Sequence, residues 1–418
     1  MIRPASIVIF LSIPAVASGA TGGAQPGSLT SLLNDPTVTA ARSAVQSGEP
    51  LVIQDQVQLT EIPAPGFDET ARGLAVRQKF TELGLRNVRI DRAGNVIGER
   101  PGRLARPNLV LAAHLDTVFP KGTDVRVTRQ GSLLRAPGIG DNGRGLGVLL
   151  GVIRALDAGR VQTRGTITFV ANVGEEGLSD LRGMRELFGV TLKGQVDAFV
   201  SIDGAGFGIT NVGVGSHRYR VTFHGPGGHS FGAFGLVNPI HALGRAVGRI
   251  ADLQVPTEPK VTFNVGRVGG GTSVNSIPAE AWFEMDMRSS DPAALAAIDT
   301  SFQKAVDDAA RDENARWNNG RLTVTKDLVG DRPAGRTLES AEIVQAATAV
   351  NAALGLPVRL GESSTDANVP MSLGIPAITI GGGGRGTGSH SPAESFDTTD
   401  SWKGTERVLL LVVALAGR

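Results

Sequence analysis

Two short segments restrict the fold of this chain more than any other feature: NLVLAA at 108–113 and AFVSI at 198–202 are apolar nearly throughout. A strand with one wet face alternates apolar and polar residues, whereas a strand covered on both faces does not. Helical spacing surrounds them, at 71–83 through Val76, Phe80 and Leu83 and again at 143–156, with further strand signals at 87–91, 165–172 and 377–380. Strands alternating with helices predict an α/β fold, with a central, largely parallel sheet covered by helices. The residues ahead of 71 read as a Gly/Ser/Pro-rich leader.

From His217 the pattern changes. Strand signals at 218–223, 260–265, 281–287 and 322–325 are separated by helical segments at 239–250 and 293–311. Strand-helix-strand-strand-helix-strand is the order of a ferredoxin-like α+β unit. A helix at 338–354, the strand at 377–380 and a helix at 402–415 return to the first pattern. The expected organisation is a larger domain in two parts, 31–213 and 328–418, interrupted by a ferredoxin-like lid or dimerisation domain at 214–327. No internal repeat is apparent.

The first 20 residues place Arg3 ahead of an apolar run at 7–16 and a small-residue AVA at 15–17. This reads as a signal peptide over 1–20, because the run is shorter than the ~20 residues of a membrane-spanning helix. The expectation is an exported protein, periplasmic or extracellular, with no permanent membrane span. Basic and acidic side chains number 41 and 40, the basic ones are scattered, and aromatic residues are few, so nucleic acid is not an expected partner. With no cysteine, disulfides, thiolate metal ligands and cysteine nucleophiles are excluded together.

Chemistry-bearing residues cluster just beyond the strand signals. His114 and Asp116 follow the apolar run at 108–113, Glu175 and Glu176 follow 165–172, Asp203 follows 198–202, and His390 lies beyond 377–380. Parallel sheets present ligands at the carboxyl ends of their strands. Asp141 sits in GIGDNG at 138–143, a turn ahead of a helix where one carboxylate can bridge two cations. The same letters satisfy GxGxxG, but no strand directly precedes them, and an aspartate there would repel a pyrophosphate. Two imidazoles with several carboxylates suit zinc, while oxygen-rich coordination keeps cobalt or manganese open. Asp116 is expected to accept a hydrogen bond from the far ring nitrogen of His114. Of the adjacent glutamates, one would hold a metal and the other stay free to take a proton. Serine catalysis is less attractive, because Ser230 has no GxSxG context.

Jointly, AAHLDTV at 112–118, GIGDNG, GEEG at 174–177, IDG at 202–204 and GSHSPAE at 388–394 resemble the M20 metallopeptidase family, with its peptidase T-like, carnosinase-like and carboxypeptidase G2-like branches. The resemblance covers nearly the whole chain beyond the leader and makes the larger domain the catalytic one. It implies two divalent ions: His114 and Asp203 on one, Glu176 and His390 on the other, Asp141 between them, and Glu175 as general base. It also implies a cis peptide between Asp141 and Asn142. GPGGHS at 225–230, GGTSVNSIP at 270–278 and DMRS at 286–289 extend the likeness. By resemblance His229 stabilises the amide oxyanion, and Asn275 and Arg288 bind substrate, with His229 and Asn275 supplied across a homodimer in related enzymes.

The implied activity is exopeptidase action on short peptides, by an aminopeptidase or a di- or tripeptidase. Asp203 favours the peptidase T-like and carnosinase-like branches, since several others place glutamate there, and STDAN at 364–368 also looks peptidase T-like. A carboxypeptidase or an N-acyl amino-acid deacylase is the alternative within the same chemistry. Outside it stands a metal-dependent binding or scaffold protein, against which the intact Glu175 argues.

Overall fold

A computed structural model describes residues 26–418, so the expected signal peptide over 1–20 lies outside the described residues. The run Asn108–His114 is buried at every position, as the missing alternation requires, because strands flank it on both sides and helices cover both faces. It pairs in parallel with Thr166–Asn172 on one side and with Ala198–Ile202 on the other. Ala377–Ile380 extends the parallel set beyond Ala198–Ile202. Antiparallel neighbours then close the sheet: Val96–Arg100 and Arg86–Ile90 at one edge, Ile209–Gly213 and Gly335–Arg336 at the other. Leu360–Ser363 pairs in parallel with Ile209–Gly213 as the ninth strand of the sheet, whose middle is the parallel set that carries His114.

One face packs against Gly143–Ala158 and Trp402–Ala416, and on these two helices lies a third, Pro36–Thr60. The last of these replaces the irregular leader expected ahead of 71. Its Pro50 and Gly48 suggest a loop, but Asp35 caps its first turn, accepting from the Thr37 and Val38 amides, and burial of Val38, Val45, Val52 and Leu59 outweighs local propensity. Among the described residues no helix is long and apolar enough to cross a membrane.

The second sheet has four antiparallel strands in the order Val261–Gly270, Glu280–Ser289, Gly215–His224, Thr323–Arg332. Helices Pro239–Ala251 and Pro292–Trp317 cover one face, where Phe223, Phe283 and Phe302 are buried. The strand order and the two helices on one side match the expected ferredoxin-like arrangement. The last strand runs on to Arg332, past the boundary expected at 327, and this extension carries a guanidinium to the carboxyl ends of the parallel strands.

Candidate metal centre

The parallel strands bring the predicted side chains together where they end. His114 is the last residue of its strand and is 1% exposed. Its Nε2 lies 3.1 Å from Asp141 Oδ1 and 3.5 Å from Asp203 Oδ1. On the other side of Asp141, His390 Nε2 lies 3.1 Å from Asp141 Oδ2 and 3.1 Å from Glu176 Oε1. Two sets of potential ligands result, His114 with Asp141 and Asp203, and Asp141 with Glu176 and His390, so the shared residue is the carboxylate expected between two ions. Glu175 lies close enough to His114 and Glu176 to form a third grouping.

The backbone that aims these groups is fixed from below. The peptide between Asp141 and Asn142 is cis, as the resemblance implied. Asn142 caps the following helix, its Oδ1 accepting from the Gly145 amide, and a Cβ on residue 145 would stand 2.2 Å from that oxygen, so glycine is required. Glu394, buried, accepts from the amides of Gly138, Gly140 and Asp141 and thereby holds the turn that presents Asp141. Arg72, fully buried, donates to the carbonyls of Leu115, Thr60 and Ile62 and fixes the turn after His114.

Asp116 departs from the expectation. His114 Nδ1 donates to the main-chain carbonyl of Asp116 at 3.0 Å, while the Asp116 carboxylate oxygen is 3.6 Å away. That carboxylate instead accepts from the amides of Glu175 and Glu176 at 3.0 and 2.7 Å. It therefore orients the glutamate pair, and the carbonyl sets the histidine tautomer, because the tight HLD turn points its own C=O at the ring.

These contacts decide whether the residues suit cations. With the proton on Nδ1, the His114 Nε2 lone pair faces two carboxylate oxygens, and neither Nε2 nor Asp141 Oδ1, both buried, makes a hydrogen bond. Unmatched acceptors in a buried site are costly unless a proton or a cation lies among them. Burial opposes charge on His114, yet Asp116, Asp141 and Asp203 hold its pKa well above the usual imidazole value. Burial, then repulsion from Asp141, pushes Glu176 up to about 7. Burial likewise raises Glu175 well above the carboxylate range, and brings Asp366 to about 7 despite a hydrogen bond from Asn172. Hydrogen bonding to Asp141 raises His390 to about 9. So many mutually repelling carboxylates suit divalent cations, and the donor set is the mixed nitrogen and oxygen one expected.

A cavity of about 550 Å³ opens over this cluster. It is also lined by Arg218, Arg288 and Arg332, and by Thr210, Ser363, Ser364, Thr365 and Thr379. Asp286 binds Nε of Arg218 at 2.9 Å and Nε of Arg288 at 2.7 Å, holding the two guanidiniums side by side. Arg288 thus reaches the site as expected, whereas His229 and Asn275 do not line this cavity within one chain. Both are exposed, on the paired segments Gly228–His229 and Ser276–Ile277 and the loop beside them, and His229 Nδ1 accepts from the amides of Phe231 and Gly232.

Sequence reasoning missed Arg218, Arg332, Asp366 and Glu394 as parts of the site. Glu394 and Asp366 stand inside motifs already conspicuous, GSHSPAE and STDAN, so their signal was present but unassigned. Arg218 and Arg332 lie on strands of the inserted sheet and are visible only once that sheet meets the cluster.

Residues 110–414 match the sequence pattern of peptidase family M20/M25/M40. Carboxypeptidase G2 of a Pseudomonas species is 29% identical over 261 residues, which is 59% of this chain and 61% of that enzyme. Among solved structures, aminopeptidase PepT of Bacillus cereus superposes with a TM-score of 0.71 at 21% identity, covering 88% of this chain and 98% of that one. The YXEP protein of Bacillus subtilis, described as a dinuclear metal-binding peptidase, superposes with a TM-score of 0.66 at 18% identity, covering 88% and 98%. At these identities the superpositions speak for the fold.

Proposed function

This chain belongs to peptidase family M20/M25/M40 and is a hydrolase, and from that premise we propose a dinuclear-metal exopeptidase that cuts short peptides, as an aminopeptidase or a di- or tripeptidase. The observation that carries the reading is the pair of ligand sets sharing Asp141, with a glutamate outside both. His114 and Asp203 would hold one ion, Glu176 and His390 the other, and Asp141 would bridge them. When bound, two such ions, zinc by preference and cobalt or manganese otherwise, polarise the scissile carbonyl and acidify water.

The chain's own groups supply the rest. Glu175 takes a proton from the attacking water onto its carboxylate and returns it to the departing amide nitrogen, so no covalent enzyme intermediate forms. Asp116 keeps the Glu175 and Glu176 amides in place while this happens. Arg288, and Arg218 through the terminal nitrogen not given to the Gly177 carbonyl, both braced through Nε by Asp286, offer N–H groups to a substrate carboxylate in charge-assisted hydrogen bonds. A free carboxylate near the cut supports an exopeptidase over an endopeptidase.

His229 and Asn275 enter as gifts from a second copy of the chain. Phe231 and Val274 beside them are 88% and 103% exposed, a density of bare apolar side chains that favours a covered surface in a homodimer. A carboxypeptidase or N-acyl amino-acid deacylase is the second reading, supported by the likeness to carboxypeptidase G2 and by the same arginine pair. Export to the periplasm or the medium, expected from the leader, belongs to the proposal and is checked by cell fractionation.

The test is hydrolysis of dipeptides, tripeptides and N-acyl amino acids in one metal-supplemented panel. Release of the N-terminal residue from di- and tripeptides is the expected result. Preferential cleavage of N-acyl amino acids would move the assignment to a deacylase, and no turnover with any member would leave a metal-dependent binding protein.

A further inference from the structure

Arg332 was not singled out by any motif, yet it makes the most specific contact in the cavity. It is 4% exposed, and its Nη1 lies 3.3 Å from Glu175 Oε1 and 3.2 Å from Ser364 Oγ, while Nη2 donates to the main-chain carbonyl of Glu175. One guanidinium thus grips both the carboxylate and the peptide of the same residue. Asp141, Asp203 and Glu176 pair with histidines, whereas Glu175 pairs with an arginine. An oxygen held by a guanidinium is a poor candidate to enter a metal shell, so the contact separates Glu175 from the ligands that surround it.

The arginine is itself anchored. It ends the strand Thr323–Arg332, whose register shifts between Leu328 and Gly330, and the preceding residue is fixed to the segment after Glu176. The Asp331 amide donates to Asp180 Oδ1 at 2.9 Å, and its carbonyl accepts from Arg185. The inserted sheet and the glutamate turn are therefore tied at the point where Arg332 enters the cavity.

We infer that Arg332 is a positioning residue for Glu175: delivered by the inserted sheet, it holds the glutamate carboxylate in line for proton transfer and out of the metal shell. This rests on the reading of Glu175 as the general base. Misplacement of a reacting group by about 1 Å costs on the order of 10²-fold in rate, which sets the expected effect.

The experiment uses the zinc-loaded full chain and the panel member hydrolysed fastest. Arg332→Met should lower kcat by about 10²-fold with KM changed by less than about threefold and metal content unchanged. Arg332→Lys, which keeps the buried charge but loses the two-point grip, should recover about tenfold of that loss, and it carries the test if Arg332→Met does not fold. A residue acting only through Glu175 adds nothing once the glutamate is disabled, so Glu175→Gln with Arg332→Met should be no slower than Glu175→Gln alone. Additive losses in that pair, or a raised KM at unchanged kcat, would overturn the inference in favour of direct substrate binding. A wild-type rate in Glu175→Gln by itself would overturn the general-base reading, and the single variant reports it separately.

Discussion

Two histidines of this chain stand in opposite surroundings. His114 is buried at the end of a parallel strand, its tautomer set by a carbonyl and its far nitrogen turned onto two carboxylates. His229 is exposed at the tip of the inserted unit, among Phe231, Phe234 and Val274, which face solvent at 88%, 75% and 103%. The first is part of a centre that a single chain assembles completely. The second is exposed beside apolar side chains and does not line the cavity over the first. The difference separates what this fold preorganises from what the proposed assembly would add: strand ends buried on both faces fix direction, and an exposed two-residue strand pair does not.

The largest effect should come from emptying the buried centre. Dialysis against a chelator is expected to abolish hydrolysis, and zinc, cobalt or manganese to restore it, with elemental analysis giving two ions per active chain. Full activity in metal-free protein would remove the basis for treating the strand-end cluster as the reactive centre.

Next in size is Glu175→Gln, which keeps the side chain's length but removes its basicity. A general base contributes ~10² to 10⁴-fold, so the single-turnover rate should fall by that much while both ions stay bound. Glu176→Gln should instead lower metal occupancy. Equal metal loss in the two variants would assign both glutamates to the ligand set.

At the exposed tip, His229→Ala should lower kcat by ~10² to 10³-fold, the cost of one oxyanion donor. Mixing His229→Ala chains with Glu175→Gln chains should regain part of the activity, since each mixed dimer would then hold one intact composite site. Sedimentation accompanies the assay, and a fully active monomer would reject completion of the site across a dimer.

The smallest effect belongs to the support beneath the buried centre. Glu394→Gln replaces a carboxylate that accepts three amides by a group with one acceptor oxygen. Metal affinity should fall ~10 to 100-fold, as for other groups that orient metal ligands, with kcat at saturating metal little changed. Titration with a competing chelator measures it.

How legible each region was in the sequence follows the same division. Asn108–His114, Thr166–Asn172, Ala198–Ile202 and Ala377–Ile380 announce themselves by apolar composition, and the candidate ligands stand within a few residues of three of their ends. The ferredoxin-like order was readable from the succession of strand and helix signals, clearest in Glu280–Ser289, which alternates residue by residue. Pro36–Thr60 was not, because its helicity depends on burial against Gly143–Ala158 and not on local preference. Arg332 and Arg218 were invisible for a related reason: their meaning comes from contacts with Glu175 and Gly177, more than 40 residues away in the chain. Asp116 was placed correctly and given the wrong partner, since sequence adjacency to His114 does not reveal which oxygen the turn presents.

The most direct test of two ions sharing Asp141 is anomalous diffraction from crystals of the zinc-loaded protein, collected at the zinc edge. Two peaks flanking the Asp141 carboxylate are expected, one contacted by His114 and Asp203, the other by Glu176 and His390, with Glu175 touching neither. A single peak, or a peak bound by Glu175, would contradict the account.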